Sequence, residues 1–173
     1  FEIYSKDDDF DGVALWQYLL REGGPFELMA SDVSSMHIRR LEAGILDYGT
    51  DIDQSLNPFE LGLGQFVDLS KDDFIGRRAL LETDRRETRV MGLRSHEVKP
   101  IRGDCLMNEA GDTLGAITAG AWSPSLECGI GIIRLDHPIE PDVELRLRTG
   151  SGNFQAELCP LPFYDPQKRI PRL

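Results

Sequence analysis

From residue 89 onward the chain is cut into six short runs of β-type residues, at 89–94, 104–107, 113–119, 128–135, 143–149 and 153–159. Gly, Pro, Asn and Asp separate them, so a turn arrives roughly every 8–12 residues, the rhythm of an all-β barrel or sandwich. Val143, Leu145 and Leu147 alternate with Glu144, Arg146 and Arg148, as a strand with one buried face requires. Asn108-Glu109-Ala110-Gly111-Asp112 reads as a hairpin loop whose glycine supplies a positive φ. A pattern this dense in turns leaves little room for anything but a small antiparallel β domain.

The first half has a different texture. Val13, Trp16, Tyr18, Leu19 and Leu20 give residues 12–22 a broad apolar helical face, and Gly23-Gly24-Pro25 ends it. Asp7-Asp8-Asp9 upstream suits the positive end of that helix. Phe26-Glu27-Leu28-Met29 and Phe66-Val67-Asp68-Leu69 read as strands, as does the opening Phe1-Glu2-Ile3-Tyr4. Ser31 or Asp32 caps a second helix ending at Gly44, and Ser70-Lys71-Asp72-Asp73 opens a third that runs through Leu81. The pattern predicts an α+β chain of two parts, residues 1–85 and residues 86–173. Opening on Phe1 in strand-like sequence, it reads as the C-terminal part of something longer.

Composition narrows the function classes. A net charge of -11 repels phosphate backbones, which argues against nucleic acid and anionic membranes as partners. No apolar run approaches the ~20 residues needed to cross a bilayer, and no signal peptide is visible. The three cysteines form no C-x-x-C pair, which argues against a disulfide framework or thiolate zinc site and fits a reducing, cytoplasmic compartment. The histidines at 37, 96 and 137 have no metal-ligand spacing, so no metal is expected. Serine-hydrolase, P-loop and dinucleotide motifs are missing, and Arg102-Gly103-Asp104 reads as a coincidental tripeptide.

The chemistry-bearing candidates lie in two places. Arg39, Arg40, Asp47, Asp51, Asp53 and Glu60 sit on or beside a helix end and the loop after it, with Gly44 and Gly49 at turns. Either they form an ion-pair network that pins the loop, or they wall a pocket. Thr118-Ala119-Gly120 and Ser123-Pro124-Ser125-Leu126 form the second, a loop between two β-runs.

These segments carry a resemblance. Arg40-Leu41-Glu42-Ala43-Gly44, Tyr48-Gly49-Thr50-Asp51-Ile52-Asp53, Asn57-Pro58, Glu60 and Gly62-Leu63-Gly64 resemble, in order, the aminomethyltransferase family, the T-protein of the glycine cleavage system. Lys71 to Leu80, Thr118-Ala119-Gly120, Ser123-Pro124-Ser125-Leu126 and Gly129-Ile130-Gly131 continue the match. The resemblance implies a three-domain, cloverleaf-like fold that binds tetrahydrofolate near its centre and ends in a small Greek-key antiparallel β-barrel. It implies transfer of an aminomethyl or methyl unit to folate nitrogens, from a small-molecule one-carbon donor or a lipoyl carrier protein. The present chain would be the C-terminal part, inactive alone, and the catalytic aspartate would lie in the missing first half. The folate-holding acid falls on Glu2. Tyr48, Asp51, Ser123 and Ser125 would shape the cavity.

Three positions depart from the family. An arginine one helical turn before Arg40 is replaced by Met36, a tryptophan after the G-L-G by Gln65, and a C-terminal tyrosine falls near Lys168. Met36-His37 and Pro162-Phe163-Tyr164-Asp165-Pro166 look more like relatives that act on methylated substrates, including sarcosine and dimethylglycine oxidising enzymes and sulfonium demethylases. A non-catalytic folate-binding or regulatory module is the alternative that these departures motivate.

Overall fold

The computed structural model describes residues 3–6, 9–83, 88–139 and 144–170. The chain divides into two compact units, Phe1–Ser35 and Met36–Leu173.

In the first unit, α1 spans Gly12–Gly23, and the Asp11 carboxylate caps it by accepting the Ala14 amide at 2.9 Å. The run at 26–29 is not a strand. A 3-10 turn occupies Gly24–Phe26, and Glu27 adopts a left-handed φ of 59° that turns the chain away from an extended path. Ile3 and Tyr4 likewise have no regular structure; Phe1 and Glu2 lie outside the described residues. α2 spans Val33–Glu42, and the Asp32 carboxylate receives the Ser35 amide, so Asp32 is the cap that the sequence suggests. At its far end Gly44 sits at φ 62°, its amide donating to Leu41 O and that of Ile45 to Arg40 O, a left-handed stop.

Residues 43–76 hold no strand. The expected strand at 66–69 is replaced by a 3-10 turn at Gly64–Phe66, and the Asp68 carboxylate then takes the amide and hydroxyl of Ser70, bending the chain. α3 is shorter than expected, Arg77–Glu82, because Gly76 stands at φ 87° and a helix cannot run through that residue.

Six strands follow: β1 (Val90–Ser95), β2 (Cys105–Met107), β3 (Thr113–Ser123), β4 (Cys128–Leu135), β5 (Leu145–Thr149) and β6 (Gly152–Cys159). All neighbours are antiparallel, in the closed order β1-β4-β3-β2-β5-β6. β2, β3 and β4 are successive hairpin partners and β5 returns to lie beside β2, a Greek key. Closure through β1 and β6 leaves no free sheet edge. The expected α+β class and terminal barrel are therefore present, with β3 reaching Ser123 rather than stopping at 119.

Two apolar clusters hold this unit together. Leu93, Leu106, Ile117, Ile133, Leu135 and Leu147 fill the barrel. Ile130, Ile132, Ala119 and Ala121 point outward and are covered by Leu41, Leu56 and Phe163. A bulge in β3 between Ile117 and Ala119 makes this possible. Its extra residue moves Ala119 and Ala121 off the interior face that Ile117 occupies, and leaves β4 buried on both sides.

The family-like glycines serve a crossing. A Cβ on Gly120 would lie 2.4 Å from Pro100 O, and one on Gly129 would lie 2.0 Å from Val98 O. The long β1–β2 connection thus crosses β3 and β4 in direct backbone contact, which no side chain at these positions permits.

Candidate functional site

The polar residues of 40–60 are built into a clamp between the pre-barrel segment and the barrel wall. The bulge residue Thr118 places its Oγ1 2.6 Å from Asp51 Oδ1 and 3.1 Å from Ile132 O, and its single proton favours the charged acceptor. Asp51 is 1% exposed. Its other oxygen takes Arg40 Nη1 at 2.6 Å and the Asp47 amide at 2.9 Å, and Arg40 also donates to Ile45 O. A buried carboxylate held by a guanidinium, a hydroxyl and an amide has its charge satisfied in place.

Two further clamps flank it. Ser123, fully buried, donates its hydroxyl to Glu42 Oε1 at 2.5 Å and accepts the Leu126 amide, which shapes the β3–β4 turn. Arg134 on β4 donates to Asp53 Oδ2 at 2.9 Å and to Ser55 Oγ at 2.6 Å. The Ser55 hydroxyl and amide, then Arg134, hold the Asp53 carboxyl down to about 2. Glu60 accepts from the Asn57 side chain at 2.7 Å and lies 3.5 Å from Arg89 Nη1.

Of the residues singled out by sequence, Asp51 and Ser123 are thus engaged in clamps at two points along β3. Tyr48, 66% exposed, forms only a backbone bridge to Ile52 in the turn before Asp51. Ser125 is exposed on the β3–β4 turn. Glu2 lies outside the described residues. Sequence reasoning missed the partners Thr118, Glu42 and Arg134 in these roles.

Beside the clamp is a groove of about 790 Å³, within the 300–1,000 Å³ usual for small-molecule sites. Its walls are the helix stop at Ala43, Gly44 and Leu46, the loop from Leu61 to Phe66, the start of β1, and the tail from Pro160 to Lys168. Gly44 lets the tail approach, since a Cβ there would meet Leu161 and Pro162 at 3.0 Å. Tyr164 ties the tail to α2 by donating its amide to Glu42 O at 2.9 Å. Leucines, prolines, Val90 and Met91 supply an apolar lining, to which Gln65, Thr88, Gln167 and Lys168 add polar groups. Tyr48, Asp51, Ser123 and Ser125 are not among its lining residues. Gln65 and Lys168 are.

Two family models match in sequence order: the GCVT N-terminal domain over residues 1–71, and the glycine cleavage T-protein C-terminal barrel domain over residues 88–165. Together they take in most of the chain, and the second coincides with the closed barrel. The chain belongs to the glycine cleavage T-protein family.

Individual members agree. An aminomethyltransferase of Pseudothermotoga lettingae is 30% identical over 166 residues, covering 95% of this chain and 45% of that protein. One from Synechococcus sp. (strain CC9311) is 37% identical over 173 residues, with coverage of 94% and 44%. The crystal structure of glycine cleavage system aminomethyltransferase T from Bartonella henselae superposes with a TM-score of 0.72 at 25% identity, over 89% of this chain and 44% of that one. The chain therefore spans less than half the length of the T-protein relatives it matches.

Proposed function

We propose that the protein is a tetrahydrofolate-dependent one-carbon transferase of the T-protein type, in which this chain contributes one wall of the folate site. The observation that carries the reading is the groove. In a chain of T-protein ancestry, a cleft lined by apolar and polar surface in near-equal measure is formed by the helix stop, the loop at 61–66 and the tail, and has the volume for a drug-sized ligand.

The lining fits a folate in kind. Leu46, Leu61, Leu63 and Met91 offer apolar surface to a flat ring system, and the amides of Gln65 and Gln167 offer donors and acceptors for its polar edge. Tetrahydrofolate, when bound, supplies the nitrogens that receive the one-carbon unit. The chain's own part is to hold and orient, which in such chemistry supplies much of the rate. The clamp keeps the wall rigid, because Asp51, Glu42 and Asp53 bind the groove-side segment to β3 and β4. Glu2 would hold the pterin with paired acceptor oxygens, and Tyr48 and Ser125, both exposed, remain available to ligand on their own faces.

Calorimetry on the whole protein tests this. Tetrahydrofolate should bind, and Leu63→Trp, which fills the groove from a residue outside both core clusters, should weaken it at least tenfold with little change in thermal midpoint. Glu2→Ala should also lose affinity. No tetrahydrofolate binding by the intact protein would refute the reading. Turnover with an aminomethylated lipoyl carrier, a methylated amine or a sulfonium compound then identifies the donor.

The alternative, a folate-binding or regulatory module without transfer, draws on Gln65, read from the sequence as a departure from the family, lining the groove. Tight binding without turnover of any of the three donors would favour it. Among the described residues no helix is long and apolar enough to cross a membrane.

A further inference from the structure

We propose that Lys168 is a specificity-determining residue that receives a carboxylate, so that the groove takes a ligand with an apolar body and an anionic end. This rests on the reading of the groove as the folate-side cavity and specifies what it selects.

The argument begins with charge. The chain carries -11, yet Lys168 is the one charged side chain among the described residues that line this groove. Among the described residues no hydrogen bond or ion pair engages its ammonium. The acid nearest in the tail, Asp165, is turned to other work: its two carboxylate oxygens accept the amides of Arg169 and Ile170 at 2.8 and 2.9 Å. An exposed ammonium on the rim of a cleft with no other charged lining residue, in a protein otherwise rich in acids, is a point of positive potential for an incoming anion.

The turn fixes where that side chain leaves the backbone. Asp165 and Lys168 both adopt left-handed backbone conformations, φ 44° and 49°, and the Lys168 amide donates to Asp165 O at 2.8 Å. Non-glycine residues take up this geometry at a cost, and the surrounding bonds enforce it here. Gln65 and Gln167 line the same groove, so amide donors are available to a carboxylate that reaches the ammonium. The residue type matters: a tyrosine offers a ring face and one hydroxyl, whereas lysine offers a full charge and three donors. Gln65 and Lys168 together give this groove polar recognition.

Carboxylates of two origins share this chemistry: the glutamyl end of a folate, and the acid group of a small N-methylated amino acid donor. Calorimetry on the whole protein distinguishes them, with tetrahydrofolate and N,N-dimethylglycine as separate probes against wild type, Lys168→Gln and Lys168→Arg. A charge-assisted contact of this kind corresponds to about a tenfold change in affinity. Lys168→Gln should weaken one of the two ligands by that factor, Lys168→Arg should restore it to within about twofold, and the wild-type advantage should shrink at high salt. Loss confined to tetrahydrofolate assigns the carboxylate to the folate; loss confined to dimethylglycine assigns it to the donor. Lys168 is exposed, so both variants should keep the wild-type melting temperature. If both ligands bind the wild type and neither responds to Lys168→Gln, the inference is overturned while the folate reading stands. If neither binds at all, both fall.

Discussion

Asp51 is a charge with nowhere to go. It is buried, and its charge is compensated in the fold by Arg40, Thr118 and one backbone amide. Arg40→Ala strips the compensating charge and should cost about 3–5 kcal/mol in chemical denaturation, the penalty for orphaning a buried ion. Adding Asp51→Asn should recover part of that loss; a cost below 1 kcal/mol for Arg40→Ala alone would mean that water reaches the site. Asp53 answers to pH instead. The Ser55 hydroxyl and amide, with Arg134, lower its carboxyl from 3.8 to about 2. A depressed folded value contributes stability above the unfolded pKa and loses it as pH falls through the folded one. The difference in urea midpoint between wild type and Asp53→Asn should therefore be full at neutral pH and shrink between about pH 4 and pH 2. An unchanged difference across that window would remove Asp53 from the clamp. The charged residues of 40–60 were legible in the sequence as either a network that pins a loop or a pocket wall, and Arg40, Asp51 and Asp53 form the first. The partner of Asp51 was not, because Thr118 is 67 residues away and only the folded barrel brings it there.

The barrel strands are legible for a physical reason. Turn residues punctuate them and alternation, as in Leu145 and Leu147 against Arg146 and Arg148, states which face is buried. The segments at 26–29 and 66–69 carry strand-forming residues too, but a strand needs a partner, and left-handed Glu27 and the Asp68 turn divert the chain before one can form. The β3 bulge is equally silent in the sequence, since one extra residue alters register without altering composition. Glycines 120 and 129 read as part of a family signature, and their cause is the crossing of Val98–Pro100. Backbone meets backbone there, so a methyl group cannot be absorbed by a rotamer change. Gly129→Ala should destabilise by about 1–3 kcal/mol or more, while the same change at Gly150, with nothing near its would-be Cβ, should be close to neutral. Equal denaturation midpoints for the two variants would show that the connection simply moves aside.

At the scale of the whole molecule the two units differ in kind. Among the described residues every buried core residue lies in Met36–Leu173, where two clusters and the clamp combine. No described residue of the first unit is buried, although Tyr4, Val13, Trp16, Phe26 and Met29 are large and apolar. Burial of apolar surface is the main source of folding free energy, and a unit that buries so little holds its backbone weakly. The helical pattern of α1 was plain in the sequence, yet an amphipathic face says only that something should cover it, not whether this chain supplies the cover. The groove was legible to a lesser degree still: Gln65 and Lys168 stood out one at a time as substitutions, and their shared cavity is a product of the tail folding back past Gly44. Stability should accordingly be uneven along the 173-residue chain. Trypsin under native conditions should cut after Lys6 and Arg21 well before it reaches Arg94 or Arg134, which sit in closed strands. Intact-mass analysis over time should show cuts at these two sites before any cut within β1 or β4. Cleavage within β1 or β4 at the same rate as at Arg21 would mean that the barrel depends on the first unit for its stability.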